Sequence, residues 1–440
     1  VACLALTAFV YALAPAQDPL RLGLALFTLV GSLWLTQALH LTITALLVPL
    51  AAVLTGLLTT REALGAFSHP IIFLFLGGFT LAAALERQGL DRALAVSVLR
   101  LARGRRSVAI LLLFALAAFL SMWLSNTATT AMMLPLAMGL MRGNHQGSAP
   151  LGPREQTFVL LGLAYSAGIG GVGTLVGSPP NAIAAAQVGI DFVEWARFGV
   201  PMALLLMPPM VVTLALVMRP ALGGRIEPVG EPLEWTRERI ATVVIFALTV
   251  IGWVAGAPLA KALDITQDMD TIVALGAIVL LYATGTLGWP DIERGTQWGV
   301  LLLFGGGLAL SQVMSASGAN RFLADQMLAV LQGAPLLVVV LGMMGFVVML
   351  TGFVSNTAAA ALLVPFFVDV GGTLGLAPKT LATAVAIAAS CAFMLPVSTP
   401  PNAIVFGTGK VPLADMLRCG LALNLVCAII ITTVIYLVGR

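Results

Sequence analysis

Runs of roughly twenty residues with almost no charge recur from one end of the chain to the other, separated by short polar breaks. A helix that crosses the hydrocarbon core of a bilayer needs about 20 apolar residues, and only elements that satisfy their own backbone groups persist there. The pattern predicts an all-α polytopic membrane protein. Composition agrees: 60% of the 440 residues are apolar, 9% are charged and the mean hydropathy is +1.04, which leaves no stretch for a separate water-facing domain. The net charge of +3 comes from arginines whose placement reads as topology rather than as a nucleic-acid surface. Cys3, Cys391, Cys419 and Cys427 sit in apolar runs without metal-type spacing and read as buried thiols. Residues 1–14 lack a basic leader and a cleavage signal, so they read as a first span rather than a signal peptide.

Hydropathy places spans near 2–14, 20–39, 41–59, 69–88, 156–190, 193–218, 238–257, 270–287, 297–316, 378–408 and 413–437. Two further apolar stretches, 107–141 and 334–367, are too long for one helix and carry a polar centre, as a re-entrant hairpin would. With the hairpins in place, Arg87, Arg92, Arg100, Arg103, Arg105, Arg106, Arg142, Arg154, Arg219, Arg225, Arg237 and Arg239 fall on one face. The positive-inside rule makes that face cytoplasmic, with the amino terminus inside and the carboxyl terminus outside a bacterial inner membrane.

Three strings recur in the same order. Ser125-Asn126-Thr127-Ala128 returns as Ser355-Asn356-Thr357-Ala358, Pro179-Pro180-Asn181-Ala182-Ile183 returns as Pro400-Pro401-Asn402-Ala403-Ile404, and Gly77-Gly78 is echoed by Gly306-Gly307. Gly89 and Arg92 are likewise answered by Gly318 and Arg321. Such recurrence means duplication. After a first helix over 1–19, one copy covers 20–218 with its hairpin at 107–141 and a broken helix at 156–190. A cytoplasmic connection over 219–237 leads to the second copy, 238–440, with hairpin 334–367 and broken helix 378–408. An odd number of spans per copy inverts the second relative to the first, and inverted repeats place their binding site near the bilayer midplane where broken helices meet.

The chemistry gathers at the repeated strings. A backbone that reverses inside the membrane cannot keep every helical hydrogen bond, and short polar side chains at that point both cap the helix ends and can face a ligand. Capping alone does not require the same Ser-Asn-Thr triplet twice. Ser121 precedes Ser125 by four residues and Thr351 precedes Ser355 by four, which from spacing alone stacks the hydroxyls on one helical face above each Asn. Hydroxyls, an amide oxygen and carbonyls freed by a helix break suit a sodium ion without any carboxylate. The paired prolines of 179–180 and 400–401 cannot lie within continuous helix. They predict two broken helices, whose restarting ends favour an anion while the carbonyls before them favour a cation.

No Arg, Lys, His, Asp or Glu occurs in these motifs. A multiply charged anion would then be held by neutral donors, helix ends and co-bound cations, which makes cation and anion binding mutually dependent. Two triplets facing one cavity suit a substrate with a carboxylate at each end.

The doubled Ser-Asn-Thr motif, together with the segment from Ala389 to Gly407 (Ala-Ser-Cys-Ala-Phe-Met-Leu-Pro-Val-Ser-Thr-Pro-Pro-Asn-Ala-Ile-Val-Phe-Gly), resembles the divalent anion:sodium symporter family, the INDY-type dicarboxylate and citrate carriers, over nearly the whole chain. The resemblance implies a homodimer in which each protomer has a scaffold and a transport domain moving as an elevator. It implies one sodium at Ser121, Ser125, Asn126 and the carbonyl of Gly177, and another at Thr351, Ser355, Asn356 and the carbonyl of Ser398, where many relatives carry Ala. Substrate would touch Ser125, Asn126, Thr127, Ser355, Asn356, Thr357, Thr399 and Pro400. The expected activity is sodium-coupled import of C4-dicarboxylates such as succinate, malate and fumarate, or of citrate. The alternative is a sodium-independent carboxylate exchanger, or a carrier of sulfate or another divalent anion. Ser121 and Thr351 favour cotransport, because exchangers of the family typically lose such ligands, and the short connection after Arg219 favours organic carboxylates over sulfate.

An intramembrane enzyme would need a nucleophile with its base, a metal cluster or paired carboxylates. His40, His69 and His145 are scattered near segment ends, and Glu86 and Asp91 lie beside the arginine-rich connection. No such constellation forms, so the sequence predicts a carrier and not an enzyme.

Overall fold

The computed structural model describes residues 1–142, 149–225, 234–264, 268–330, 334–373 and 375–438. His145 and residues 226–233 of the connection lie outside the described residues. Among the described residues the architecture is helical, with one isolated bridge between Arg105 and Arg225. Among the described residues five helices are long and apolar enough to cross a membrane: Asp18–Thr36, Thr60–Arg87, Phe192–Met218, Trp298–Ser317 and Leu413–Leu437.

The duplication is present as two sets of helices in one order. Asp18–Thr36, Leu41–Leu54, Pro70–Arg87, Leu90–Arg100, Arg106–Ser121, Asn126–Met141, Pro153–Gly170, Pro179–Val188 and Phe192–Met218 are answered by Arg237–Val254, Met269–Ala283, Trp298–Ser317, Ala319–Val330, Leu336–Thr351, Asn356–Thr373, Pro378–Ser390, Pro400–Gly407 and Leu413–Val438. Both expected hairpins form, as 106–121 with 126–141 and 336–351 with 356–373, and both expected helix breaks occur, between Gly170 and Pro179 and between Ser390 and Pro400. The helices Leu90–Arg100 and Ala319–Val330 are an addition to the expected spans. Gly89 and Gly318, at φ +64° and +75°, occupy the left-handed region that glycine adopts without strain, and there each long helix turns sharply into the next.

Packing sorts the helices into two bundles. A hairpin bundle gathers both hairpins, both broken helices, Phe192–Met218 and Leu413–Val438. A supporting bundle is built by crossing the two copies: Leu41–Leu54 packs on Trp298–Ser317, and Met269–Ala283 packs on Pro70–Arg87. The repeated glycine pairs explain this crossing. A Cβ on Gly77 would fall 2.6 Å from that of Ala274, and one on Gly306 would fall 2.5 Å from that of Ala45. In lipid, where no hydrophobic force pushes helices together, such close backbone approach is what binds them. The neighbouring glycines face the other way, Gly78 against Val176 of the first broken helix and Gly307 against Ala361 of the second hairpin, each 3.0 Å from an added Cβ. One residue of each pair thus joins the supporting helices, and the other keeps their surface smooth against the hairpin bundle.

The copies also interlock within the hairpin bundle. Pro179–Val188 packs on Asn356–Thr373 and Pro378–Ser390 of the other copy, and Pro400–Gly407 packs on Asn126–Met141 and Pro153–Gly170. All four hairpin and broken-helix units therefore meet around one point.

Candidate binding cavity

Helix ends build the site before any side chain is considered. Four helices of the hairpin bundle start at its wall: Asn126–Met141, Asn356–Thr373, Pro179–Val188 and Pro400–Gly407. Each N-terminus carries about half a positive elementary charge; the two hairpin helices add the unpaired N–H groups of their first residues, whereas Pro179, Pro180, Pro400 and Pro401 have none to offer. Between them lies a cavity of about 450 Å³ lined by Ser125, Asn126, Thr127, Ser355, Asn356 and Thr357, together with residues 176–180 and 397–401. Both triplets thus share one cavity with both proline breaks. Thr399 and Pro400 line it as well. Ser125 also caps its helix, its Oγ accepting from Ala128 N at 3.2 Å, and the Thr399 hydroxyl accepts from Asn402 N at 3.4 Å. Capping and cavity lining coincide in these two residues.

Helix C-termini supply the opposite polarity a few ångströms away. Helix 106–121 ends at Ser121 and helix 153–170 at Gly170, and their terminal carbonyls have no helical partners. The Ser121 hydroxyl donates to Asn126 Oδ1 at 2.5 Å. A Cβ on Gly171 would overlap Asn126 Oδ1 and lie 3.0 Å from the Gly177 carbonyl, while one on Gly177 would meet the Gly171 carbonyl at 2.6 Å and the Ser121 carbonyl at 2.9 Å. The missing side chains are what let these oxygens gather. In the second copy Thr351 Oγ1 lies 2.8 Å from Asn356 Oδ1 and 2.7 Å from the carbonyl of Ala389, near the end of helix 378–390. One hydroxyl proton cannot serve both acceptors, so this cluster has an oxygen left over, which suits a small cation. The donor set of each cluster is neutral oxygen, fit for sodium; among the described residues no group of His, Cys, Asp and Glu suits a metal that demands charged or nitrogen ligands.

One expectation changes in detail. Ser121 and Ser125 do not share a helical face: the helix stops at Ser121, and residue 125 caps the next one, so the turn and not the helical period brings Ser121 onto Asn126. The Asn of each Pro-Pro-Asn string turns away from the ligand space. Asn181 Nδ2 donates to the carbonyls of Gly171 and Thr174 at 2.8 and 2.7 Å, and Asn402 Nδ2 donates to those of Ala392 and Leu395 at 3.0 and 3.1 Å. Both are buried. Each amide bridges carbonyls that the break leaves without helical donors, which holds the interruption in shape at a cost far below that of an unpaired buried carbonyl. The Ser398 hydroxyl is likewise spent on the Leu395 carbonyl at 2.6 Å and accepts from Asn402 at 3.1 Å.

The supporting bundle contributes a wall that no repeated string announced. Gln37, His40, Thr42, Gln297 and Gly299 line the cavity, with Phe75, Phe79 and Leu303 as apolar neighbours. His40 is the ionisable side chain among the cavity's lining residues. Its position next to the start of an apolar helix was visible in sequence, but nothing there said that this helix end would meet the triplets.

The whole chain, residues 6–440, matches the profile of the sodium:sulfate symporter transmembrane region. It is 46% identical over 430 residues to an uncharacterised transporter of Haemophilus influenzae, covering 96% of this chain and 93% of that one. It is 34% identical over 445 residues to the sodium-dependent dicarboxylate transporter SdcS of Staphylococcus saprophyticus, covering 94% and 85%. Among solved structures the fold is similar to the YdaH transporter of Alcanivorax borkumensis, with TM-score 0.56 and 15% identity over 85% of this chain and 87% of that one. It is also similar to Neisseria gonorrhoeae MtrF, described as illuminating a class of antimetabolite efflux pumps, with TM-score 0.59 and 16% identity over 98% and 97%. These relatives and neighbours are membrane transporters and not enzymes. With both triplets, both proline breaks and the full-length match in place, the chain belongs to the sodium:sulfate symporter family of polytopic membrane transporters, the divalent anion:sodium symporters.

Proposed function

We propose that this transporter is a sodium-coupled carrier that imports a small di- or tricarboxylate. The observation that carries the reading is that both Ser-Asn-Thr triplets and four helix N-termini line one cavity whose hairpin-bundle wall holds no charged side chain. Carboxylates at the two ends of the substrate are received by Ser125, Asn126 and Thr127 on one side and by Ser355, Asn356 and Thr357 on the other, with Thr399 and Pro400 beside them. One sodium is held by Ser121, Ser125, Asn126 and the carbonyl of Gly177, the other by Thr351, Ser355, Asn356 and the carbonyl of Ser398. Because Asn126 and Asn356 serve both cation and anion, and because two unit charges a few ångströms apart attract strongly in a weakly polar setting, each ligand raises the affinity for the other.

The unequal state of the two copies supports alternating access. Val397 is 75% exposed whereas its counterpart Val176 is 8% exposed, and Phe353 is exposed while its counterpart Trp123 packs between Phe192 and Phe246. Exchange of these roles opens the cavity to the opposite side, with the hairpin bundle moving as an elevator along the supporting bundle, which acts as the scaffold of a homodimer. The arginine-rich side is cytoplasmic in this reading, with the amino terminus inside.

The test is uptake into proteoliposomes. An inward sodium gradient drives accumulation of labelled succinate, malate or citrate, and replacing sodium by choline abolishes it. Uptake that proceeds in choline but needs carboxylate on the other side identifies an exchanger instead, and uptake of sulfate but of no carboxylate identifies an inorganic-anion carrier.

A further inference from the structure

We propose that His40, on the supporting-bundle wall of the cavity, is a specificity-determining residue that selects anions carrying a hydroxyl or a third carboxylate beyond the two that the triplets hold. This rests on the carrier reading above and names the substrate class within it.

His40 caps helix Leu41–Leu54, and its Nδ1 accepts from the backbone N–H of Thr42 at 3.3 Å. An accepting Nδ1 carries no proton, so the neutral ring carries it on Nε2. The cap thereby fixes the tautomer and leaves Nε2–H as a donor for the cavity that the residue lines. Gln37 and Gln297 line the same wall and bring amide donors of their own.

The wall is held in register by close helix packing. The Thr42 hydroxyl donates to the Gly299 carbonyl at 3.5 Å, and a Cβ on Gly299 would come within 2.8 Å of that hydroxyl. Helices 41–54 and 298–317 therefore start side by side at the cavity, and His40 and Gln297 are the residues immediately before them. Phe75, Phe79 and Leu303 complete this side.

A plain C4-dicarboxylate occupies the triplets and asks nothing of this wall. About 450 Å³ is well above what two carboxylates on a short chain fill, being within the range of pockets that take drug-sized ligands. Gln37, His40 and Gln297 are exposed, so water serves their donors until a substrate oxygen replaces it, and an anion with that extra oxygen gains a bond that a plain dicarboxylate does not make. A 2-hydroxy-dicarboxylate or a tricarboxylate supplies that oxygen.

The experiment compares wild type, His40→Ala, His40→Gln and Gln297→Ala in sodium-driven proteoliposome uptake, with KM and kcat measured for succinate, malate and citrate. Folding is checked by melting temperature and gel filtration. Expected is a wild type with lower KM for malate and citrate than for succinate, and an His40→Ala variant whose citrate KM rises about tenfold more than its succinate KM. His40→Gln, which keeps a donor, recovers part of the difference, and Gln297→Ala shifts the ratio in the same direction as His40→Ala. A wild type that favours succinate, or variants that move all KM values by one common factor or by none, overturn the inference while leaving the carrier reading intact. A wild type that accumulates no carboxylate overturns the carrier reading itself.

Discussion

Replacing Gly171 by alanine puts a methyl group where the first oxygen cluster has no room. The new Cβ overlaps Asn126 Oδ1 and lies 3.0 Å from the carbonyl of Gly177. The carbonyl belongs to a buried backbone stapled by Asn181, whose Nδ2 is 2.8 Å from Gly171 O and 2.7 Å from Thr174 O, so it yields little. The Asn126 amide, held by Ser121 at 2.5 Å, is the group that must leave. Losing one charge-assisted contact costs about 1.5–3 kcal/mol, which at about 1.4 kcal/mol per decade weakens sodium roughly 10- to 150-fold. The assay is the sodium concentration giving half-maximal uptake, read beside the melting temperature in choline, which isolates any plain packing defect. Two comparisons sharpen it. Gly139→Ala, in the hairpin helix that begins at Asn126, meets no heavy atom within 4 Å and leaves sodium activation unchanged. At the equivalent position of the second copy stands Ala392, so the second cluster already accommodates a methyl group and Ala392→Gly leaves it active. A folded Gly171→Ala protein with sodium activation within twofold of wild type would falsify the assignment of these oxygens to a cation.

Three further outcomes are expected. Gly306→Val drives a side chain into Ala45, whose Cβ and carbonyl lie 2.5 and 2.7 Å from the added Cβ. It lowers stability by about 1–3 kcal/mol or more, measured as a drop in melting temperature, whereas Gly276→Ala, in open space, does not. Val397→Cys reacts rapidly with a water-soluble maleimide and Val176→Cys slowly in the state seen here, matching exposures of 75% and 8%; equal rates under all sodium and substrate conditions contradict alternating access. Asp91, in the helix that follows Gly89, is buried, and burial raises its carboxyl above the ordinary 3.8 against the bond from Arg92 N. A raised folded-state value means the charged form costs stability as pH climbs through that range. Asp91→Asn therefore raises the melting temperature at neutral pH, and the gain vanishes as pH falls toward 4; a gain that is the same at both pH values refutes the cause.

The elements legible in sequence are those whose signal is local or repeated. Paired prolines forced the breaks at 179 and 400 because the ring denies the helix its donors, and the recurrence of Ser-Asn-Thr fixed the hairpin tips. Gly77 and Gly306 were visible as an echo, but their role appears only when the copies cross and each meets an alanine of the other half. The same holds for the cavity's far wall. Gln37, His40 and Gln297 carry no repeated string, and they reach the ligand space through the tertiary pairing of helices 41–54 and 298–317, which no window of sequence encodes. Spacing misled at Ser121 and Ser125, where four residues suggested one helical turn and the chain instead makes the hairpin bend. Asn181 and Asn402 stood in sequence as part of a repeated string with no role attached; their amides serve the carbonyls of the broken backbone, because buried carbonyls without donors are costly.

In the proposed mechanism, positive charge for the anion comes from bound sodium and helix ends and not from the cavity's side chains. Equilibrium binding of labelled succinate and of citrate to the purified protein, titrated in sodium and again in choline, measures it directly. Expected are binding in sodium, a loss of at least about tenfold in choline, and a reciprocal tightening of sodium when the anion is present. Equal affinity in the two salts would contradict it.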